Sequence, residues 1–227
     1  MEYLIRQFTR TFIEQNRYML FIEGLRNTVV ITIMAAVIGT LIGIIIASVH
    51  VFRTQTGRLK IPDAVCQAYV AVIRGTPLAV QLLIFAYIIF RSNNYIMIAG
   101  LAFGLNSGAY VAELVRAGIG AVDKGQMEAS LSLGLPRGAA MIKIILPQAV
   151  KNILPALCNE FIAILKETSI VGLIAVVDLT RASDIVRSRT AEPYFPLLTI
   201  ALIYFLMVAF LTHLTRRLEK RLAKSDR

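Results

Sequence analysis

Residues 128–147 read EASLSLGLPRGAAMIKIILP. The stretch lies between segments apolar enough for a bilayer. It nevertheless carries Glu128, Arg137 and Lys143, and it is punctuated by Gly134, Pro136, Gly138 and Pro147. Just upstream, Asp123 and Gln126 have the spacing of a capping box, in which the Asp side chain accepts from a backbone N–H of the first helical turn. Residues 124–133 then read as a short helix, roughly 15 Å long at 1.5 Å per residue. Gly134 suits the left-handed position that ends such a helix, and Pro136 can open the next element. Met141, Ile144 and Ile145 give that element an apolar face, and Pro147 can start a membrane span. Local signals alone allow either an ordinary structured loop or a bounded helix lying on the membrane surface and tied to a span.

The surrounding composition sets the class. The chain has 227 residues, 57% of them apolar, and a mean hydropathy of +0.69. Soluble domains average roughly 45–50% apolar, and here the excess falls in long runs, which marks an integral membrane protein. No Pro/Ser/Gly linker or low-complexity tract is visible, so one bundle is expected. The formal net charge of +10 belongs to residues flanking apolar runs. That pattern fits membrane topology better than nucleic-acid binding, which would need a basic face on a soluble fold.

A spanning helix takes about 20 apolar residues. Five stretches qualify: 27–52; 64–90, interrupted by Arg74-Gly75-Thr76-Pro77; 95–112; 148–171, with Pro155, Glu160, Lys166 and Glu167 inside it; and 195–214. Residues 1–20 lack the compact apolar core of a signal peptide. Their Leu4, Ile5, Phe8, Phe12 and Ile13 recur at helical spacing and predict an amphipathic helix on the membrane surface. Five spans put the termini on opposite sides. With the N-terminus outside, the inner segments hold more basic residues than the outer ones. Arg216, Arg217, Lys220, Arg221, Lys224 and Arg227 dominate the inner set, and Arg91 is among the outer. The positive-inside rule therefore predicts an outer N-terminus, a basic cytoplasmic tail over 215–227, and a cytoplasmic location for 128–147.

Several chemistries are excluded or left without support. No GxxxxGK[ST] occurs, nor any Gly-Lys dipeptide, so P-loop ATP binding by this chain is ruled out. Cys66 and Cys158 form no CxxC and read as small packing residues. His50 and His213 are isolated in sequence, without HExxH or a neighbouring acid, so no metal site or catalytic residue is expected. A serine intramembrane protease would need GxSG, but Leu105-Asn106-Ser107-Gly108 has Leu at the first position, and no GxGD is present. An ion-coupled carrier or channel working without an ATPase is the main alternative; the lack of an internal repeat counts against it.

Charged residues at membrane depth are functional candidates by default. Glu160 is 13 residues beyond Pro147, about 20 Å along a straight helix, and Glu167 is two turns further on the same face. Two carboxylates there could bind an ammonium or a basic side chain. Glu160 could equally form a buried ion pair with Arg74, and Arg74 could satisfy carbonyls freed by a helix irregularity at Gly75 and Pro77. Asn106 and Ser107 read as interhelical hydrogen-bonding residues. Gly39-xxx-Gly43 and the Gly100, Gly104, Gly108, Ala112 ladder let helices approach closely, either within one chain or at a dimer seam.

The residues of the opening stretch also resemble a known signature. Glu128-Ala129-Ser130, then Gly134, Ile144 and Leu146-Pro147 match EAA-x3-G-x9-I-x-LP, the mark of permease subunits of bacterial ABC importers; only Ser130, where Ala is usual, departs. Arg74-Gly75-Thr76-Pro77-Leu78, Leu114-Val115-Arg116-Ala117-Gly118-Ile119 and Asn159-Glu160-Phe161-Ile162 with Leu165-Lys166-Glu167-Thr168-Ser169 are similar to the polar amino-acid branch, and the similarity covers roughly 24–214. The resemblance implies a single all-α permease domain of the type I, MetI-like importer fold. That fold has five transmembrane helices, the N-terminal amphipathic helix and a cytoplasmic coupling helix. It implies docking of that helix, through Gln126, Glu128, Ala129, Ser130 and Gly134, on a separate ABC ATPase that binds the ATP. It further implies an extracytoplasmic substrate-binding protein, a second permease subunit, a polar amino-acid substrate and the bacterial inner membrane. The chain itself would be a transport subunit with no cofactor and no enzyme activity. Glu160, Glu167 and Arg74 become its candidate substrate-pathway residues.

Overall fold

The computed structural model describes residues 2–90 and 92–224; Arg91 and Arg227, counted among the basic residues above, lie outside the described residues. Every regular element among the described residues is helical. Helix α1 (Glu2–Phe8) is followed by a π turn (Thr9–Ile13) and a 3-10 turn (Glu14–Asn16). Then come α2 (Tyr18–Thr56), α3 (Lys60–Arg74), α4 (Leu78–Ile84) with a π turn (Phe85–Ile89), and α5 (Tyr95–Gly120). The chain continues through α6 (Lys124–Ser132), α7 (Arg137–Ala140) with a π turn (Met141–Ile145), and α8 (Leu146–Glu167) with a 3-10 turn (Thr168–Ile174). It ends with α9 (Leu179–Thr190) and α10 (Tyr194–Lys224).

Among the described residues, α2, α5 and α10 are each long and apolar enough to cross a membrane, and α3 with 78–89 forms a fourth candidate bent by 107°. The bend falls at Gly75-Thr76-Pro77, as the sequence led one to expect, because Pro77 lacks an N–H and steers Thr76 away from helical geometry. Thr76 relieves the break by donating its hydroxyl to the Val72 carbonyl at 2.9 Å. Helix α8, at the fourth expected span, has 22 residues, about 33 Å at 1.5 Å per residue. It has the length without the uniform apolarity, since Lys151, Asn152, Glu160, Lys166 and Glu167 interrupt it. Helix α10 continues through 215–224, so most of the expected tail is an extension of the last helix.

By its internal contacts the chain divides into two compact units. The first comprises Met1–Ala35, Leu78–Phe103 and Ile162–His213. Its core sets Phe21, Ala182 and Val186 against Phe12, Leu20, Val177 and Ile200. The expected N-terminal helix is shorter than 1–20: left-handed backbone at Gln15 (φ 55°) and Asn16 (φ 54°) ends it before α2 begins. Part of its apolar face packs on protein, with Phe12 5.6 Å from Phe21 and Phe8 6.3 Å from Phe195 between ring centroids, while Tyr3, Ile5 and Ile13 stay exposed. Helix α9, between the last two expected spans, buries Leu179, Ala182, Ser183, Val186 and Thr190. The fully buried Asp178 caps it, accepting from the N–H groups of Thr180 at 2.9 Å and Arg181 at 3.0 Å. Burial pushes the Asp178 carboxyl above its ordinary range, and the two backbone donors pull it the other way.

The second unit comprises Ala36–Pro77, Gly104–Phe161 and Leu214–Arg227. Here the glycine patterns resolve as packing within one chain. A Cβ on Gly39 would meet Ser107 at 2.7 Å, one on Gly43 would meet Val111 at 2.4 Å, and one on Gly108 would meet Ile42 at 2.7 Å. Helices α2 and α3 are joined by a tight turn with left-handed Gly57 (φ 70°) and Leu59 (φ 59°). Asp63, which is 2% exposed, ties them together. It meets Nδ1 of His50 at 2.8 Å and Arg53 at 3.4 Å, and accepts from Gln67 at 2.6 Å. His50 is therefore not isolated in space, as it looked in sequence: the hairpin brings Asp63 to it.

Two stability outcomes follow from this packing. In Gly24→Ala the new Cβ would lie 2.7 Å from the Asp178 carbonyl oxygen, a backbone atom that cannot swing away. It should destabilise the detergent-solubilised protein by about 1–3 kcal/mol in thermal unfolding, whereas Gly120→Ala, with nothing within 4 Å, should melt with the wild type. Asp63→Ala strands three polar partners and should cost about 1–3 kcal/mol by the same assay; Asp63→Asn, which keeps acceptor oxygen, should cost less.

Candidate functional site

The segment quoted at the outset folds as a bounded helix. At the start of α6, Asp123 accepts from the Gly125 N–H at 2.6 Å. The reciprocal arm of the capping box is not made: the Gln126 side chain accepts from Gln148 at 3.5 Å instead. At the other end Gly134 takes φ 83°. Its N–H reaches the Leu131 carbonyl at 2.9 Å, and the Leu135 N–H reaches Ser130 at 3.1 Å, the paired bonds of a Schellman stop. Pro136 then stands in extended geometry at the N-cap position of α7, without a side-chain capping bond. The π turn over Met141–Ile145 widens the helix where the Pro147 ring would otherwise crowd the Lys143 carbonyl.

This geometry sorts the expected coupling residues. Gln126, Glu128, Ala129 and Gly134 are exposed, and Leu133 beyond them is 83% exposed. Ser130 turns inward at 4% exposure and donates its hydroxyl to the Gln126 carbonyl at 2.6 Å. It therefore takes the place of Ala in the signature without leaving a polar group unsatisfied, and it packs beneath the surface face instead of contributing to it.

Helices α5 and α8 flank this segment in the chain, and they are hydrogen-bonded to each other: Ser107 on α5 donates to Glu160 Oε1 on α8 at 2.9 Å. Ser107 thus plays the interhelical part read from sequence, with half-buried Glu160 as its acceptor. Nearby on α5, the Leu105 carbonyl accepts from the Tyr69 hydroxyl of α3. Glu167 ends α8 and is exposed.

Of the partners open to Arg74, the structure gives it neither Glu160 nor freed carbonyls among the described residues: its guanidinium is 3.6 Å from Glu113 on α5 and stacks 5.3 Å from the centre of the Tyr110 ring. The bend at Gly75 ends α3 at Arg74 and leaves the side chain free to reach across. Glu113 is also held by Arg116, with Nε at 3.1 Å from Oε1 and Nη2 at 2.6 Å from Oε2. This Arg–Glu–Arg row borders a cavity of about 420 Å³ shared with His50, Asp63 and Gln67. Sequence reasoning passed over Glu113, Tyr110 and Asp63. The i,i+3 spacing of Glu113 and Arg116 inside an otherwise apolar helix was the available signal. Among the described residues, no three or more His, Cys, Asp and Glu side chains gather as a metal site.

The likeness to known proteins is extensive. Residues 39–224 match the family described as the inner membrane component of binding-protein-dependent transport systems. A Rickettsia conorii protein assigned as the glutamine transport system permease GlnP is 38% identical, over 97% of this chain and 98% of its own. The arginine transport system permease ArtQ of Bacillus subtilis is 37% identical, over 90% and 93% respectively. The crystal structure of an amino acid ABC transporter with histidines superposes with a TM-score of 0.84 at 43% identity, covering 92% of this chain and 98% of that one. The all-helical architecture, the bounded helix α6 and this similarity agree: the chain belongs to the family of inner membrane components of binding-protein-dependent transport systems, the permeases of ABC importers.

Proposed function

We propose that this protein is the permease subunit of an ATP-driven importer of polar amino acids. It would work as a dimer with a second permease subunit, beside a separate ATPase and an extracytoplasmic binding protein. The observation that carries the reading is the way α6 is mounted. It is capped at both ends, presents Gln126, Glu128 and Ala129 outward, and is chained on one side to α5 and on the other, through α7, to α8. Those two helices hold the Ser107–Glu160 hydrogen bond. An ATPase docked on α6 would therefore act on both walls of that pair at once, as a rigid-body displacement. ATP belongs to the partner, since this chain has no P-loop; the subunit itself performs no covalent chemistry.

The names of the relatives, which refer to glutamine and arginine, support an α-amino acid as cargo. Glu160, with Glu167 two turns further along α8 and Arg74 on α3, supplies charged side chains to the pathway. The orientation that fits the basic residues puts the N-terminus outside and α6, with the end of α10, in the cytoplasm of a bacterial inner membrane.

In the reconstituted complex, Glu128→Arg or deletion of 124–133 should abolish stimulation of ATPase activity by the loaded binding protein; stimulation that survives would remove α6 as the docking element. Glu160→Gln should lower substrate affinity and uptake by about tenfold or more, the scale of one charged hydrogen bond. Unchanged uptake would take Glu160 out of the pathway.

A further inference from the structure

A larger cavity, of about 770 Å³, lies between α2, the end of α5 and the continuous run of α7, its π turn and α8. None of the residues assigned above to coupling or to the pathway lines it. Its walls are mostly apolar, and its polar lining side chains are Ser48, Gln55, Thr56 and Arg137. Two of these are spent on their own helix: Ser48 donates to the Ile44 carbonyl at 2.7 Å, and Thr56 to the Phe52 carbonyl at 2.8 Å. Gln55 and Arg137 are not. Gln55 Nε2 is buried without a hydrogen-bond partner, and the terminal amide of a glutamine turns about a broad torsion. Arg137 is exposed, and its guanidinium has no acceptor among the described residues. The backbone beside it is open, since a Cβ on Gly138 would meet nothing within 4 Å.

The two unmet donors share one end of the cavity. Gln55 is next to the last residue of α2, and Arg137 is the first of α7. From that end the apolar wall on α2 runs back from Thr56 to Ile44, about 18 Å at 1.5 Å per residue. One leaflet supplies half of a hydrocarbon core of about 30 Å, so the cavity is as long as one leaflet is thick. Exposed Phe52, Ile142 and Val150 leave its side open. Just beyond α2, Arg58 and Lys60 are exposed as well, which makes the polar end positive. Basic pockets between membrane helices at this level suit anionic lipid headgroups.

We propose that this cavity holds one anionic phospholipid, its acyl chain along the apolar walls, its phosphate on Arg137 and an oxygen of its head accepting from Gln55. Ordinary boundary lipid needs only an apolar face. Here a leaflet-length cavity ends in two unmet donors, one of them charged, and that combination selects for a phosphate carrying net negative charge. On the orientation proposed above, the lipid belongs to the cytoplasmic leaflet; the site itself does not depend on the cargo.

The test uses the permease assembled with its ATPase in phosphatidylcholine nanodiscs. The probe is phosphatidylglycerol with a photoactivatable diazirine on its acyl chain. Illumination should label the protein saturably, with adducts in 44–56 and 141–157. Phosphatidylcholine carrying the same diazirine, at the same mole fraction, should label these segments about tenfold or more weakly, the scale of one charged hydrogen bond. Arg137→Gln should lower phosphatidylglycerol labelling to the phosphatidylcholine level, while Arg137→Lys, which keeps the charge, should retain most of it. Equal labelling by the two lipids overturns the proposal and leaves an ordinary lipid-facing surface. So does unchanged labelling in an Arg137→Gln protein that elutes and melts like the wild type. The absence of lipid adducts in these segments overturns it too, as when protein–protein cross-links show another chain seated there. Where Arg137→Gln does not fold, the headgroup comparison on the wild type decides by itself. ATPase stimulation by the loaded binding protein, measured in the same nanodiscs, reports separately on the importer reading. Its loss with headgroup-selective labelling intact would fault that reading and leave the lipid site standing.

Discussion

The hydrogen bond from Ser107 to Glu160 joins the two helices, α5 and α8, that flank α6 and α7 in the chain. A carboxylate in apolar surroundings is costly unless a donor meets it. Ser107 meets it from α5, and a small residue at this point has a second consequence: Gly39 of α2 can lie against Ser107 because neither side chain is large. One contact thus combines close helix packing, polar satisfaction and a connection between both ends of the surface helix. The caps bound α6 at both ends, with Asp123 accepting from the Gly125 N–H and Gly134 in the left-handed region.

Elsewhere the chain handles its polar groups in two ways. Many hydroxyls fold back on their own helix: Thr32 to the Thr28 carbonyl, Ser48 to Ile44, Thr56 to Phe52 and Ser130 to Gln126. These ask nothing of a neighbour and leave the helix free to sit against lipid or protein. Another set crosses between elements: Asn27 to the Val177 carbonyl, Tyr69 to Leu105, and Asp63 to His50 and Arg53. The crossing set defines which helices are neighbours, and it is also where the charged chemistry gathers.

The class of protein, the apolar spans, the break at Gly75-Thr76-Pro77 and both ends of α6 were legible in the residues. Each rests on local physics: hydropathy over a span length, the missing N–H of proline, a capping carboxylate, and a left-handed glycine. The EAA signature was equally legible, because its spacing is contiguous in sequence. Helix α9 was passed over although Ala182, Val186 and Thr190 repeat at four-residue intervals. The amphipathic start was read as longer than it is, although Asn16, a residue type that tolerates the left-handed region, was a weak signal of a stop.

What tertiary structure alone decided is who meets whom. Spacing could not choose between a glycine face used inside the chain and one used between chains; the contacts of Gly39, Gly43 and Gly108 chose the former. Spacing also could not tell that Arg74 would turn to Glu113 and Tyr110 rather than to Glu160, or that Asp63 would fold back onto His50. Helical periodicity places a side chain on a face, but a partner on another helix depends on crossing geometry and on a bend between α3 and α4. That information is nowhere local. The sequence by itself determined a membrane permease with a capped helix that carries the EAA signature. The fold determined which charges pair, and so where the cavity with its Arg–Glu–Arg row lies, because ion pairs between helices form only after the helices have packed.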